Sequence, residues 1–337
     1  MSEPVGIMGL GIYLPDNTLS AEAIAERTEG AWTAENVRAK LGINQIYRPG
    51  PEDGTQAMAV KASREALDDA NITAQEIDLI LSIGEEWKER PLTTTAMVIQ
   101  DEIKAVNAWG IDLQNRCSTG LSAIKIAKDM MIAAPAIKTV LIAGGYRNGD
   151  LIDFTDQKTS FMFNLSTGGA AMILRRGHDQ NEVLSTHIIS DGSLANTVGV
   201  PSGGTIDPNT QNDFHLRLFD ADKMKSRLNE VSVNNWFTCL DKALAGSHMT
   251  RADIDYLNIL HIKRSGHQGI LDALHLTPEQ TVYLEDYGHL GQLDQVLSLV
   301  IGLKHGKIQA GTNVAMLAAG VGYVWAASIV KWGPIRG

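Results

Sequence analysis

The sequence predicts an α/β fold of helical layers on mixed sheets, built twice over. Three observations carry this. Buried-strand patterns alternate with amphipathic helical patterns along the chain. Two stretches about half a chain apart repeat one another. The 337 residues are 44% hydrophobic and 20% charged, which suits a globular chain with a large core.

The repeat is specific. From Ala66 the chain reads ALDDANITAQEIDLIL, and from Ala243 it reads ALAGSHMTRADIDYLN. Ala-Leu, Thr73/Thr250, Ile77/Ile254 and Asp78/Asp255 coincide at a spacing of 177. Each copy reads as a helix end, a short connection and a buried strand, IDLILSIG or IDYLNILHI. TVLIAGG (from Thr139) and NVAMLAAG (from Asn313) form a second matching pair. A period of about half the chain marks a duplicated domain and not a solenoid. The units are expected at residues 1–175 and 182–337.

Taken in order, GLGIYLP has clustered glycines without a GxGxxG pattern and reads as a strand and turn. NRCSTGLSAI leads into the helix LSAIKIAKDMMIAA. NNWFTCLDKAL is helical, which assigns Cys239 to packing. EDYGHLGQ is a glycine-flanked loop before the helix LDQVLSLVIGLKHG, and it falls near the position of the Cys117 stretch in the other half. The uncharged run Val314 to Val330 is short for a membrane span and broken by Gly320 and Gly322. It reads as two buried strands joined at a glycine turn.

Charge and cysteine usage exclude several classes. A net charge of −10 argues against a nucleic-acid binder. Cys117 and Cys239, the only cysteines, make no disulfide framework and fit a reducing cytoplasm. The opening MSEPVGIMGLG lacks a basic stretch and carries Glu3, so it does not read as a signal peptide.

Cys117 is the first candidate for chemistry. A helix N-terminus offers free N–H groups and a positive dipole end, which stabilise a thiolate. Buried cysteine is also a common small hydrophobe, so this stretch alone leaves both readings open. A nucleophile needs a proton partner and an oxyanion site. His261 ends the strand YLNILHI, and His289 lies in the EDYGHLGQ loop. His267, six residues past His261, lacks metal-ligand spacing, and no metal site is expected.

These pieces, in order, resemble a condensing enzyme of the thiolase superfamily, closest to the β-ketoacyl-acyl-carrier-protein synthase III type. GIMGLGIYLPDN resembles the opening strand, and IDLQNRCSTGLSAI the nucleophile elbow. NLSTGGAAMIL resembles the strand closing the first half, and SDGSLANTVGVPSGG the loop opening the second. GVGYVWAASIVKW resembles the C-terminal glycine turn and last strand. The resemblance implies a thiolase-like duplicated fold, layered αβαβα with two mixed sheets, and a homodimer. It implies that Cys117 carries an acyl group, that His261 and His289 are the two basic positions, and that the N–H groups of Cys117 and Val321 form the oxyanion hole. Val321 stands where the family has the middle glycine of its turn. Trp32 and Lys40 correspond to contacts with coenzyme A. Lys263 and Arg264, where the family has Ala-Asn, are candidates for phosphate or carboxylate binding. Acyl-CoA and an acyl carrier protein are the implied partners, with no metal or redox cofactor.

Two departures keep alternatives open. His289 stands where asparagine is usual, a Cys-His-His set that resembles the chain-elongating synthases and their decarboxylative chemistry. SIGEEWKERP places Glu85 and Glu86 after a first-half strand, where it is similar to 3-hydroxy-3-methylglutaryl-CoA synthase and its acid/base glutamate. Glu86 fits that role. Neighbouring charges predict instead that both glutamates are exposed loop residues. A cysteine-dependent acyltransferase to an alcohol or amine, and a non-catalytic partner subunit, are the other readings.

Overall fold

The computed structural model of the chain describes residues 3–85 and 87–334. Its main sheet is built from nine strands among those residues: β1 (Val5–Tyr13), β2 (Leu79–Ser82), β3 (Trp109–Asp112), β4 (Thr139–Tyr146), β5 (Gly168–Arg176), β6 (Gln180–Ser190), β7 (Tyr256–Ile259), β8 (Asn313–Gly320) and β9 (Val324–Pro334). The first half orders them β1-β5-β4-β2-β3, and the second β6-β9-β8-β7. In each half the first two pairings are antiparallel and the next is parallel. β3 adds a further parallel strand to the first half. Its counterpart in the second half is a single parallel bridge between Leu257 and Thr281. The two mixed blocks touch through one residue pair, Gly6 opposite Glu182.

Helices fill three layers. They are α1 (Thr55–Ala70), α2 (Thr95–Ile103), α3 (Thr119–Ala133), α4 (Ala221–Gly246), α5 (Arg264–Leu274) and α6 (Asp294–Lys304). Strand side chains alternate between layers, as the period of two requires. On β4, Val140 and Ile142 face the central core with α3 and α6, while Leu141 and Ala143 face α1 and α2. On β8, Val314 and Met316 face the same central core, and Ala315 and Leu317 face α4 and α5. The strands are therefore apolar on both faces, and the layers run α, β, α, β, α. Each buried Leu, Ile or Val side chain contributes roughly 1.5–3 kcal/mol.

The residues repeated at a spacing of 177 do the same work in both halves. Thr73 and Glu76 cap one another reciprocally before β2, and Thr250 and Asp253 do so before β7. Asp78 accepts a hydrogen bond from Thr139 N at 2.9 Å, and Asp255 from Asn313 N at 2.8 Å. Each aspartate thus pins the start of a neighbouring parallel strand. The run from Val314 to Val330 forms β8 and β9 with a three-residue turn between them. Among the described residues, no helix is long and apolar enough to cross a membrane.

Candidate active site

The central layer brings two similar junctions together. In the first half a short turn, Arg116–Ser118, runs into α3; in the second, Gly291–Leu293 runs into α6. Cys117 therefore sits in the turn just before its helix. Arg116 adopts a left-handed backbone with φ of 51°, which sharpens the elbow and costs about 1 kcal/mol or more in a residue with a side chain. Asn115 N donates to Thr119 Oγ1 at 2.7 Å, and Asn115 Nδ2 to Ser122 Oγ at 2.8 Å, which tie the elbow to the first turn of α3. Gly320, at the end of β8, approaches so closely that a Cβ there would lie 2.8 Å from Cys117 N. Val321 follows it in the half-buried turn before β9.

His289 reaches the sulfur. Its Nε2 lies 3.3 Å from Cys117 Sγ, and its Nδ1 lies 2.6 Å from Asp294 Oδ2. A carboxylate only accepts, so Nδ1 carries a proton and Nε2 is the atom that exchanges one with the thiol. The loop is held by its own backbone: His289 N donates to Asn164 O, and Ser166 N to His289 O. Burial disfavours the imidazolium, but the Asp294 carboxylate and the Cys117 sulfur outweigh it and hold the His289 pKa well above the usual imidazole range.

His261 is placed differently. It follows β7 and is buried. Its Nε2 lies 3.2 Å from Gly42 O and its Nδ1 2.9 Å from Asn164 Nδ2. The carbonyl only accepts, so Nε2 donates and Nδ1 receives the amide proton; the ring is neutral with both nitrogens engaged. Burial, with smaller effects from its neighbours, lowers its pKa to about 4. His267, in α5, is also buried, packs edge-on to Tyr283, and is lowered to about 4 by burial. Cys239 packs in the core of the second half, its thiol raised to about 12 by burial.

The expectation that Glu85 is an exposed loop residue is overturned. Glu85 is 7% exposed, and its carboxylate meets the Arg116 guanidinium at 3.0 Å. A carboxylate so buried is stable only when paired, and Arg116, which it meets, is the residue preceding Cys117. Glu86 lies outside the described residues.

The four binding candidates lie near one another, because α5 packs against the helical turn Val37–Leu41. Lys40 Nζ sits 5.4 Å from the Trp32 ring centroid, and Trp32 Nε1 donates to Gln157 Oε1 at 2.7 Å. Arg264 lies over the Tyr283 ring and pairs with Glu285, while Lys263 is exposed at the start of α5. Among the described residues, no group of three or more His, Cys, Asp or Glu side chains could hold a metal ion.

Two polar residues of the site, Asp294 and Asn164, were missed in the sequence, and Glu85 was named there but expected to be exposed. Asp294 follows His289 by five positions, which matches no helical or strand period. Asn164 stands in NLSTGG, read as part of a strand but lying in the loop before β5.

Comparison with known proteins agrees with this arrangement. Residues 111–192 match the model of 3-oxoacyl-[acyl-carrier-protein] synthase III, and residues 244–332 match the model of its C-terminal part. Together these segments make up half of the chain. A beta-ketoacyl-[acyl-carrier-protein] synthase III of Clostridioides difficile is 27% identical over 98% of this chain and 99% of its own length. The protein of that name from Rhodospirillum centenum is 28% identical over 97% and 98%. Among solved structures, 3-oxoacyl-[acyl-carrier-protein] synthase III from Aquifex aeolicus superposes with a TM-score of 0.85 at 22% identity, covering 97% of this chain and all of that one. The priming beta-ketosynthase of the R1128 polyketide pathway gives 0.85 at 22%, covering 99% and 98%. The matched segments contain Cys117 and its elbow in one case and His261, His289 and the β8–β9 turn in the other, and the chain belongs to the 3-oxoacyl-[acyl-carrier-protein] synthase III family of thiolase-fold enzymes.

Proposed function

We propose that this enzyme takes an acyl group from a coenzyme A or carrier-protein thioester onto Cys117 and condenses it with a second thioester, after the manner of the relatives named beta-ketoacyl-[acyl-carrier-protein] synthase III. The observation that carries this is the 3.3 Å contact between Cys117 Sγ and His289 Nε2 at the head of α3. His289 takes the thiol proton, and the N–H groups of Cys117 and Val321 receive the oxyanion. Loss of CO₂ from a malonyl-type thioester then supplies the carbanion, with His289 and His261 donating to the enolate oxygen. For His261 to do so, its Nε2–H must leave Gly42 O. Trp32, Lys40, Lys263 and Arg264 offer an aromatic face and cations to the nucleotide end of coenzyme A. This chemistry calls for no metal or redox cofactor.

Two further features fit the same reading. β3 is an open edge whose Trp109 and Ile111 are 49% and 42% exposed, a surface suited to pairing with a second copy. Two free cysteines suit a reducing compartment such as the cytoplasm.

Incubation with a panel of acyl-CoAs, followed by digestion and mass mapping, should find the adduct on Cys117. An adduct on Cys239, or none with any donor, overturns the proposal. Adding a malonyl thioester to the loaded enzyme should release CO₂ and a β-ketoacyl product. Glu86→Ala should leave that step largely intact; a loss of several orders of magnitude with Cys117 still loading would favour the aldol-type synthase.

One observation favours a second reading. Both ring nitrogens of His261 are engaged, so among the described residues a single imidazole, that of His289, bonds the sulfur. That suits transfer of the acyl group to a hydroxyl or amine, with His289 removing the acceptor's proton. Loaded enzyme that releases no CO₂ from malonyl thioesters but discharges onto alcohols or amines would decide for it.

A further inference from the structure

Asp294 opens α6, where an acidic residue ordinarily caps the N–H groups of its own first turn. Its carboxylate faces backwards instead. Oδ1 accepts from Leu290 N at 2.7 Å, and Oδ2 accepts from His261 N at 2.7 Å and from His289 Nδ1 at 2.6 Å. The side chain is fully buried. An ionised carboxylate taken out of water is strongly disfavoured unless its oxygens are met by donors. Here three donors converge, and two of them belong to the residues His261 and His289. One carboxylate therefore ties the end of β7 to the loop that faces Cys117.

We propose that Asp294 is a positioning residue of the site: it holds His289 with the proton on Nδ1 and Nε2 turned to Cys117, completing a Cys117–His289–Asp294 relay. The inference rests on the reading that Cys117 carries the acyl group. In the loading step the Cys117 sulfur, its proton held on His289 Nε2 of the charged ring, attacks the thioester carbonyl. The bond between that carbon and the donor's sulfur breaks. The departing thiolate takes that proton from His289 Nε2, which leaves the ring neutral with its remaining proton on Nδ1. Without Asp294 the ring is free to rotate, and the charged form that holds the sulfur's proton is less favoured. The groups facing His289 are Cys117 from the first-half elbow, Asp294 from α6, His261 from the end of β7, and Tyr146 from β4, whose ring centroid lies 6.3 Å away. Asp294 and Cys117 favour the charged ring and outweigh burial.

The test has two arms. In the first, the His289 imidazole is titrated by NMR in the unaltered protein, its signal assigned by comparison with His289→Gln. The ring should stay charged well above pH 6.5, the ordinary histidine value. A midpoint at or below 6.5 overturns the proposal, and this arm needs neither a substrate nor a folded Asp294 variant. In the second, single-turnover loading of Cys117 from an acyl-CoA is followed against pH. Asp294→Asn should slow loading by roughly a hundredfold or more and move the alkaline limb of the profile to lower pH; Asp294→Glu should recover part of the loss. An Asp294→Asn protein that melts as a folded chain and loads at the unaltered rate with an unchanged profile overturns it. If Cys117 loads from no thioester at all, the functional reading fails, and the titration still decides the role of Asp294.

Discussion

The two turn-to-helix junctions of the central layer share a backbone plan and divide the chemistry. In both, a short helical turn precedes a buried helix, and each junction is fastened to the opposite half. Ser118 Oγ donates to Val324 O, and Gln292 Nε2 donates to Ile83 O. Gly120 of one junction lies against Gln292 O of the other, so close that a Cβ would sit 2.7 Å away. Cys117 and Gln292 occupy corresponding places in the two turns. The first junction leaves Cys117 half-buried, while the second buries Gly291, Gln292, Leu293 and Asp294 completely. Two similar helix starts thus supply different groups: a thiol from one, and from the other the carboxylate bonded to the imidazole that meets that thiol. Duplication provides the facing geometry, and divergence of a few side chains provides the site.

The largest expected effect comes from exchanging roles at the corresponding turn positions. Cys117→Ala should lower acyl loading by about three orders of magnitude or more, and intact-protein mass should show no adduct. Gln292→Ala should leave the adduct on Cys117 but destabilise the fold by about 1–3 kcal/mol, because Ile83 O loses a buried donor. Denaturant melts measure that loss. If Gln292→Ala abolishes loading while the protein stays folded, the division of labour between the junctions is wrong.

Next come the two histidines. His289→Ala should slow loading by roughly 10²–10⁴. His261→Ala should leave loading within about tenfold of the unaltered rate, since its ring bonds Gly42 and Asn164 and not the sulfur. Rapid-quench measurement of both variants separates them, and equal losses at the loading step would contradict the arrangement of the rings.

The glycines at the contact test how tightly the junctions must meet. Gly320→Ala puts a Cβ 2.8 Å from Cys117 N and 2.9 Å from the Arg116 Cβ. It should cost about 1–3 kcal/mol as overpacking and also slow loading, because it displaces the Cys117 N–H. Gly120→Ala, against Gln292 O, should cost a similar amount of stability with a smaller effect on loading. Comparable rate losses in both would mean that the elbow moves as one body with the opposite junction.

The smallest effect sharpens the comparison where the halves remain alike. Thr73→Ala and Thr250→Ala each remove one side of a reciprocal cap, and each should cost about 1 kcal/mol. The two losses should agree within roughly 0.5 kcal/mol and, as distant sites, add in the double variant. A loss confined to one half would show that the repeated threonines no longer do equal work.

What the sequence determined by itself is what short-range periodicity and backbone chemistry control. Apolar runs of strand length set strands buried on both faces, and hence layers on either side of each sheet. The Thr and Asp repeat marked two equivalent strand entries, since capping is decided within four residues. Cys117 at a helix start and the glycine turn after β8 were legible for the same reason. Tertiary structure alone decided which imidazole meets the sulfur, because the choice depends on competing partners from distant parts of the chain. Gly42 and Asn164 claim the ring of His261, and His289 lies 172 residues from Cys117. Asp294 and Glu85 gave no local signal, because a carboxylate in a loop or at a helix start is ordinarily solvated. Only packing shows that one is fully buried against three donors and the other against Arg116. Periodicity reports which face of an element is apolar; it carries no information about where the acceptors of another element will stand when the two halves close.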